Sequence, residues 1–231
     1  LGTRIGSCLS YGFSESADYR VEVVAAASDG QHCRVKGPGL DLSFDVAAPG
    51  AHNAQNAAAA LVAAIRLGAD ADSLGGCLRR FRGVARRLQV LGSRDGVVIV
   101  DDYAHHPTEV RASISALRSA WPGARLIVAF QPHLYSRTEA MAAEFGLELS
   151  AADQALVLPI YPAREEPIDG VDAGLVVRRA PGHVRQGSVN EAVDLASGAH
   201  GETVIVFMGA GDVTDAAHRA AGELTGDALG V

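Results

Sequence analysis

The rhythm of apolar and polar positions changes once along the chain. Up to residue 48, short apolar runs alternate with turn residues. Arg20-Val21-Glu22-Val23-Val24 and Leu40-Asp41-Leu42-Ser43-Phe44-Asp45-Val46 have period two and predict antiparallel strands. Asp29-Gly30 marks a turn between apolar runs. After Pro49-Gly50 the pattern turns helical. The alanine-rich stretch from Asn53 to Leu67 predicts a helix that stops near Gly68, and a second helix is expected from Asp72 to Arg82, with Gly83 ending it. Ser93-Arg94-Asp95-Gly96 is the best linker, dividing the chain into 1–94 and 95–231.

Beyond that linker, strands alternate with helices. Strands are expected at Val97–Asp101, Arg125–Phe130, Gln154–Leu158 and Thr203–Met208. Helices are expected at Pro107–Ala120, Thr138–Leu149, Asp172–Arg179, Val189–Ser197 and Thr214–Leu224. Such alternation implies crossover connections and an α/β fold: a Rossmann-like, mainly parallel sheet with helices on both faces. Pro107 suits a first helical turn, and Glu109 close behind favours the helix dipole.

Composition narrows the function. A net charge of −7 argues against nucleic acid or an anionic membrane as main partner. Nineteen of the 20 cationic residues are Arg, with Lys36 the only Lys, which base composition of the gene explains. Cys8, Cys33 and Cys77 are odd in number, widely spaced and without a CxxC pair, so reduced thiols in a cytoplasmic protein are expected rather than disulfides or a metal site. No apolar run is long enough to span a membrane and no signal peptide is visible. The G-x-x-x-x-G-K-[ST] phosphate loop does not occur.

One stretch concentrates the chemistry. Val97-Val98-Ile99-Val100 reads as a buried strand that ends in Asp101-Asp102-Tyr103-Ala104-His105-His106, before Pro107-Thr108-Glu109 opens a helix. In an open α/β sheet, ligands sit beyond the carboxyl ends of the strands. A solvated loop with Thr108 or Asp102 as a cap is the alternative. No residue stands out as a nucleophile or general base.

Asp101-Asp102-Tyr103-Ala104-His105-His106-Pro107-Thr108-Glu109-Val110 closely resembles the start of the C-terminal domain of the Mur ligases. The family's order is kept by Pro49-Gly50-Ala51-His52-Asn53-Ala54-Gln55-Asn56 with Gly83-Val84-Ala85-Arg86-Arg87-Leu88, and by Phe130-Gln131-Pro132-His133-Leu134-Tyr135-Ser136-Arg137-Thr138. Tyr161-Pro162-Ala163-Arg164-Glu165-Glu166-Pro167-Ile168 and Gly209-Ala210-Gly211-Asp212 also fit. The likeness is greatest to the branch that uses ATP to join L-alanine to the lactyl carboxylate of UDP-N-acetylmuramic acid in peptidoglycan synthesis. It implies an acyl phosphate intermediate attacked by the amine. It also implies that 1–94 is the C-terminal part of a central ATPase domain and 95–231 the ligase domain. That family keeps its phosphate loop upstream. The expectation is therefore a C-terminal piece lacking N-terminal and central segments, inactive alone, with most ligands of Mg2+ elsewhere.

The resemblance assigns residues as follows. Asn53 and Asn56, with His52 beside them, would bind adenine; Asn offers both donor and acceptor, although Asn53 could equally be a helix N-cap. Arg86 and Arg87, Arg87 above all, would meet the nucleotide at the domain interface, a solvated turn being the alternative. Asp102 would accept from ribose hydroxyls. Tyr103, His105 and His133 would shape the amino-acid pocket, and Arg137 would pair with the carboxylate of L-alanine. Leu134 stands where many members carry a second Arg, and no polar role is expected of it. Gly209-Ala210-Gly211-Asp212 reads by default as a tight turn. Two rivals stay open: a recycling ligase that adds a preformed peptide, and a non-catalytic nucleotide-binding module.

Overall fold

Alternation of side chains across two sheets, each facing its own helices, builds the protein. The structure is a computed structural model and describes residues 8–27, 30–81 and 83–226. Asp29, the first residue of the expected turn, and Arg82, the last of the expected second helix, lie outside the described residues. The chain divides into two compact units, 1–83 and 84–231.

In the N-terminal unit, β1 (Tyr11–Gly12), β2 (Tyr19–Ala27), β3 (Gly30–Gly37) and β4 (Leu40–Val46) form a four-stranded sheet in chain order. β1 pairs with β2 in parallel, and the other pairings are antiparallel. Period two places Tyr19, Val21, Cys33, Val35, Phe44 and Val46 on one face, where they pack with Ala54, Ala57, Ala58 and Leu61 of α1 (Ala51–Arg66). Leu74 and Leu78 of α2 (Ala71–Arg80) join the same core. Burial pushes the Cys33 thiol up to about 11, with Asp45 adding to the rise, and all three cysteines are free.

The C-terminal unit holds six strands: β5 (Gln89–Arg94), β6 (Val97–Asp102), β7 (Arg125–Phe130), β8 (Gln154–Val157), β9 (Val184–Gln186) and β10 (Thr203–Met208). Their spatial order is β5-β6-β10-β7-β8-β9, parallel except for the edge strand β5. One face carries Val100, Val128, Phe130, Val206 and Met208. These pack on α3 (Pro107–Ala120), α4 (Tyr135–Leu149) and the short α5 (Ala173–Val177). The other face carries Ile99, Ile127, Leu156, Ile205 and Phe207 against α6 (Val189–Ser197) and α7 (Val213–Thr225). Parallel strands covered on both faces are apolar throughout, and all six residues of β10 are buried.

The expected boundary at 94/95 therefore moves to 83/84. Ser93–Gly96 is no linker but the turn of a hairpin, in which Arg94 pairs with Val97 while Asp95 (φ 51°) and Gly96 (φ 84°) take left-handed backbone. A bulge between Val90 and Gly92 interrupts the alternation of β5. The two parallel central strands of the expectation, Arg125–Phe130 and Thr203–Met208, form with those ends. The helix expected from Asp172 shortens to α5, with Asp172 as the N-cap accepting from Leu175 N–H. Among the described residues no helix is long and apolar enough to cross a membrane.

Candidate functional site

β6, β10 and β7 end side by side, and the segments that leave their carboxyl ends carry nearly all of the candidate residues of the C-terminal unit. Two backbone bonds knit these ends together, Gly209 N–H to Asp102 O (2.9 Å) and Gln131 N–H to Met208 O (2.8 Å), and a third ties Tyr103 N–H to Arg86 O (2.7 Å) ahead of β5.

His106 caps α3, not Thr108 or Asp102. Its Nδ1 accepts from Thr108 N–H, and Pro107 occupies the first turn, where no N–H is needed. This leaves His105 at the mouth of the site. Its Nδ1 lies 2.8 Å from Tyr103 O and 3.3 Å from Glu109 Oε2, while its backbone N–H donates to that same carboxylate oxygen at 3.0 Å. The Tyr103 ring and the His133 ring both make edge contacts with His105, at 5.1 Å and 5.9 Å.

His133 comes from the segment between β7 and α4. It forms a β-bridge with Tyr161 and stacks on the Tyr161 ring at 5.7 Å. Burial, then the Arg137 and His105 charges, hold the His133 imidazole below the usual histidine range against an opposing pull from Glu165, and its Nδ1 is buried without a partner. Leu134 caps α4 with φ 73°. Its N–H donates to Tyr161 O and its carbonyl accepts from both Thr138 donors, so the backbone of Leu134 does the shaping and its side chain is half-buried. Arg137 lies in the first turn of α4, with Nη1 3.4 Å from His105 O. Tyr103, His105, His133 and Arg137 are thus brought together as expected.

The Arg pair separates. Arg86 has φ 59°, and its Nη2 donates to Gly209 O at 2.8 Å and Gly211 O at 3.1 Å. Its Nε stands 3.8 Å from the fully buried Asp101. Arg86 is therefore a clasp on the loop after β10 rather than an open phosphate ligand. Arg87 shares the Tyr103 ring with Arg86, whose guanidinium is 4.9 Å from the ring centre, but has different ionic partners. Its guanidinium is 5.4 Å from the Tyr103 ring centre and 3.7 Å from Glu109, with nearly half its side chain exposed. Burial would raise the Glu109 carboxyl, but the N–H groups of His105 and His106 and the charges of His105 and Arg87 prevail and hold it below the usual range.

Gly209-Ala210-Gly211-Asp212 is the tight turn anticipated as the default. Gln131 donates to Asp212 Oδ1 and accepts from Val213 N–H, so that N–H is not open to an anion. A Cβ at Gly211 would come within 2.5 Å of the Tyr161 ring, so only glycine lets the two segments approach this closely.

Asp102 is only 2% exposed. Its Oδ1 accepts from Ala104 N–H at 3.2 Å, while Oδ2 is buried and unpaired. Burial pushes the carboxyl up to about 6, with Asp101 adding to the rise against the Ser113 hydroxyl, Ala104 N–H and Arg87. In this state its visible task is to hold the start of the Tyr103–His106 segment.

In the N-terminal unit, Asn53 is not the N-cap of α1. Gly50 caps it with φ 97°, and Asn53 sits in the first turn, where its amide donates back to Pro49 O at 2.7 Å. Among the described residues nothing donates to the Asn53 side-chain oxygen. His52 is half-buried and Asn56 exposed on the same turn of helix. Among the described residues no group of three or more His, Cys, Asp or Glu side chains could hold a metal ion, and no Mg2+ ligand is assigned in this chain.

Sequence reasoning gave no site role to Glu109, noted for the helix dipole and as part of a motif, or to Tyr161, noted only as part of a motif. The spacing of His105 and Glu109, four residues apart around a helix start, was the available signal for the first. Nothing local signals that Tyr161 stacks on His133, because the contact joins the segments beyond the ends of β7 and β8, a whole crossover apart in the chain.

The family described as Mur ligase, glutamate ligase domain, matches residues 86–211. The chain is 42% identical over 216 residues to a UDP-N-acetylmuramate--L-alanine ligase of Streptomyces griseus subsp. griseus, covering 91% of this chain and 46% of the relative. It is similar in fold to a UDP-N-acetylmuramate-alanine ligase from Thermotoga maritima (TM-score 0.77, 24% identity, 95% of this chain and 48% of that one). It is also similar in fold to a MurF ligase of the same organism in complex with ADP (TM-score 0.70, 20% identity, 95% and 49%). The chain spans about half the length of the curated relatives it matches.

Proposed function

This chain belongs to the Mur ligase family, and on that footing we propose that it serves an ATP-dependent amide ligase joining L-alanine to UDP-N-acetylmuramic acid in peptidoglycan synthesis. The observation that carries the reading is the single cluster of Arg137, His105, His133 and Tyr103 at the carboxyl ends of β6 and β7. The Arg137 guanidinium beside three rings suits a small amino acid. The cation holds the carboxylate, and the rings enclose a short side chain. The relatives named for L-alanine ligation support the same choice of amino acid.

For the nucleotide, the fit is residue by residue. Asn53, whose side-chain oxygen has no donor among the described residues, and Asn56 are proposed to read adenine beside His52. Exposed Arg87 is proposed to meet phosphate charge, and the unpaired Oδ2 of Asp102 would take a ribose hydroxyl once the Tyr103 segment gives access. ATP, when bound, supplies the phosphoryl group that activates the muramyl carboxylate. The chain's own residues then position the amine and neutralise charge rather than form covalent bonds to substrate. Three free thiols suit a cytoplasmic setting.

The test is ADP release by the full-length protein given ATP, UDP-N-acetylmuramic acid and one acceptor. Release that requires L-alanine supports the proposal. Release with a preformed peptide and not L-alanine, or none with either, overturns it.

A further inference from the structure

An amino acid reaches this site with its amine protonated, and an ammonium group has no lone pair with which to attack a carbonyl. Some group must take that proton. The neighbours of His105 fix which of its nitrogens can. The Tyr103 carbonyl, 2.8 Å from Nδ1, can only accept, as can the Glu109 carboxylate at 3.3 Å. Nδ1 therefore carries the hydrogen, and the lone pair of the neutral ring is on Nε2. The ring makes edge contacts with both Tyr103 and His133 and is about one-fifth exposed. Glu109 is itself fixed, because it accepts the His105 backbone N–H at 3.0 Å and lies 3.7 Å from Arg87. A nucleophile's base oriented by a carboxylate is the recurring arrangement for proton removal. Arg137, anchored on the His105 carbonyl, brings a carboxylate-binding group to the same residue.

We propose that His105 is the catalytic base that deprotonates the incoming amino acid, with Glu109 as the residue that positions it. The inference rests on the ligase reading above. The ammonium nitrogen gives one proton to Nε2. The freed lone pair forms the C–N bond to the acyl phosphate carbon, and the C–O bond to phosphate breaks with its electron pair leaving on phosphate. The nitrogen's second proton leaves to phosphate or solvent, and His105 returns its proton to solvent. The groups around His105 are Glu109 from α3, with Arg87 of the segment before β5 behind it, Tyr103 from the segment after β6, His133 from the segment after β7 and Arg137 from the first turn of α4.

The experiment compares full-length wild type, His105→Gln and Glu109→Gln. Positioned proton transfer contributes about 10²–10⁴-fold. His105→Gln is expected to lower kcat by at least about a hundredfold with the KM for L-alanine changed only a few-fold. Its deficit should shrink as pH rises, because more of the amino acid then arrives already unprotonated. Hydroxylamine, neutral at pH 7, needs no base, so it should trap the acyl phosphate equally in wild type and variant. Glu109→Gln keeps an acceptor for the His105 N–H and should give a smaller loss with a shifted pH profile. Near-wild-type kcat in His105→Gln, or a deficit independent of pH and shared by hydroxylamine, overturns the proposal. If wild type neither ligates L-alanine nor yields hydroxamate, the ligase reading is what has failed.

Discussion

Replacing Arg86 with Ala should unsettle the C-terminal unit far more than its partial exposure suggests. Its Nη2 holds the Gly209 and Gly211 carbonyls, and its Nε is the nearest cation to Asp101, which is fully buried with Oδ1 unpaired and Oδ2 accepting from Thr214. A charged hydrogen bond contributes about 1.5–3 kcal/mol, and removing one member of a buried pair costs about 3–5 kcal/mol because the other charge is stranded. One guanidinium makes all these contacts, so the contributions overlap, and about 3–5 kcal/mol is expected in total. A typical domain has only about 5–15 kcal/mol in hand. Urea denaturation followed by Trp121 fluorescence reads this directly, because that lone tryptophan lies in the C-terminal unit at the end of α3. Asp101→Asn should recover part of the loss in the double variant by removing the stranded charge. A loss under about 1 kcal/mol together with a raised KM for ATP would refute the clasp and return Arg86 to the nucleotide.

Three further outcomes are expected. Asn53→Ala should raise the KM for ATP by an amount equivalent to about 1–3 kcal/mol and leave that for L-alanine nearly unchanged in steady-state kinetics, the cost of an unpaired polar partner. Arg137→Ala should raise the KM for L-alanine at least about thirtyfold, whereas Leu134→Ala should change neither KM, since the contacts of Leu134 are made by its backbone. The Asp102 carboxyl titrates near 3.8 when unfolded and at about 6 in the fold, so as pH rises the unfolded chain loses its proton first. Stability should therefore fall by about 3 kcal/mol between about pH 4 and 6 and stay lowered above. Denaturation midpoints of Asp102→Asn should lack that decline.

Strands with both faces buried were legible because a continuous apolar run bounded by turn residues leaves little choice, as Val97–Val100 and Thr203–Met208 show. β5 was not, because its bulge breaks the alternation and its turn, Asp95-Gly96, has the composition of a linker. The side chains of the site were readable as a set, whereas their division of labour was not. Arg86 and Arg87 are chemically identical and both guanidiniums lie against the Tyr103 ring, yet only Arg86, on left-handed backbone, reaches the loop carbonyls, while Arg87 meets Glu109. The role given to His105 depends on which atoms face Nδ1, a fact of three dimensions that no spacing encodes.

The central place of β10 bears on how the protein is made. β6 and β7 are successive strands in the chain, yet they do not pair; β10, some 70 residues after β7 ends, lies between them. A growing chain that has reached β9 thus holds two half-sheets, β5-β6 and β7-β8-β9, each with a bare apolar edge. The ribosome must supply β10 before either edge is closed, so the unit acquires its stable form late in synthesis. Until then those edges are where a chaperone, or a neighbouring nascent chain, would bind.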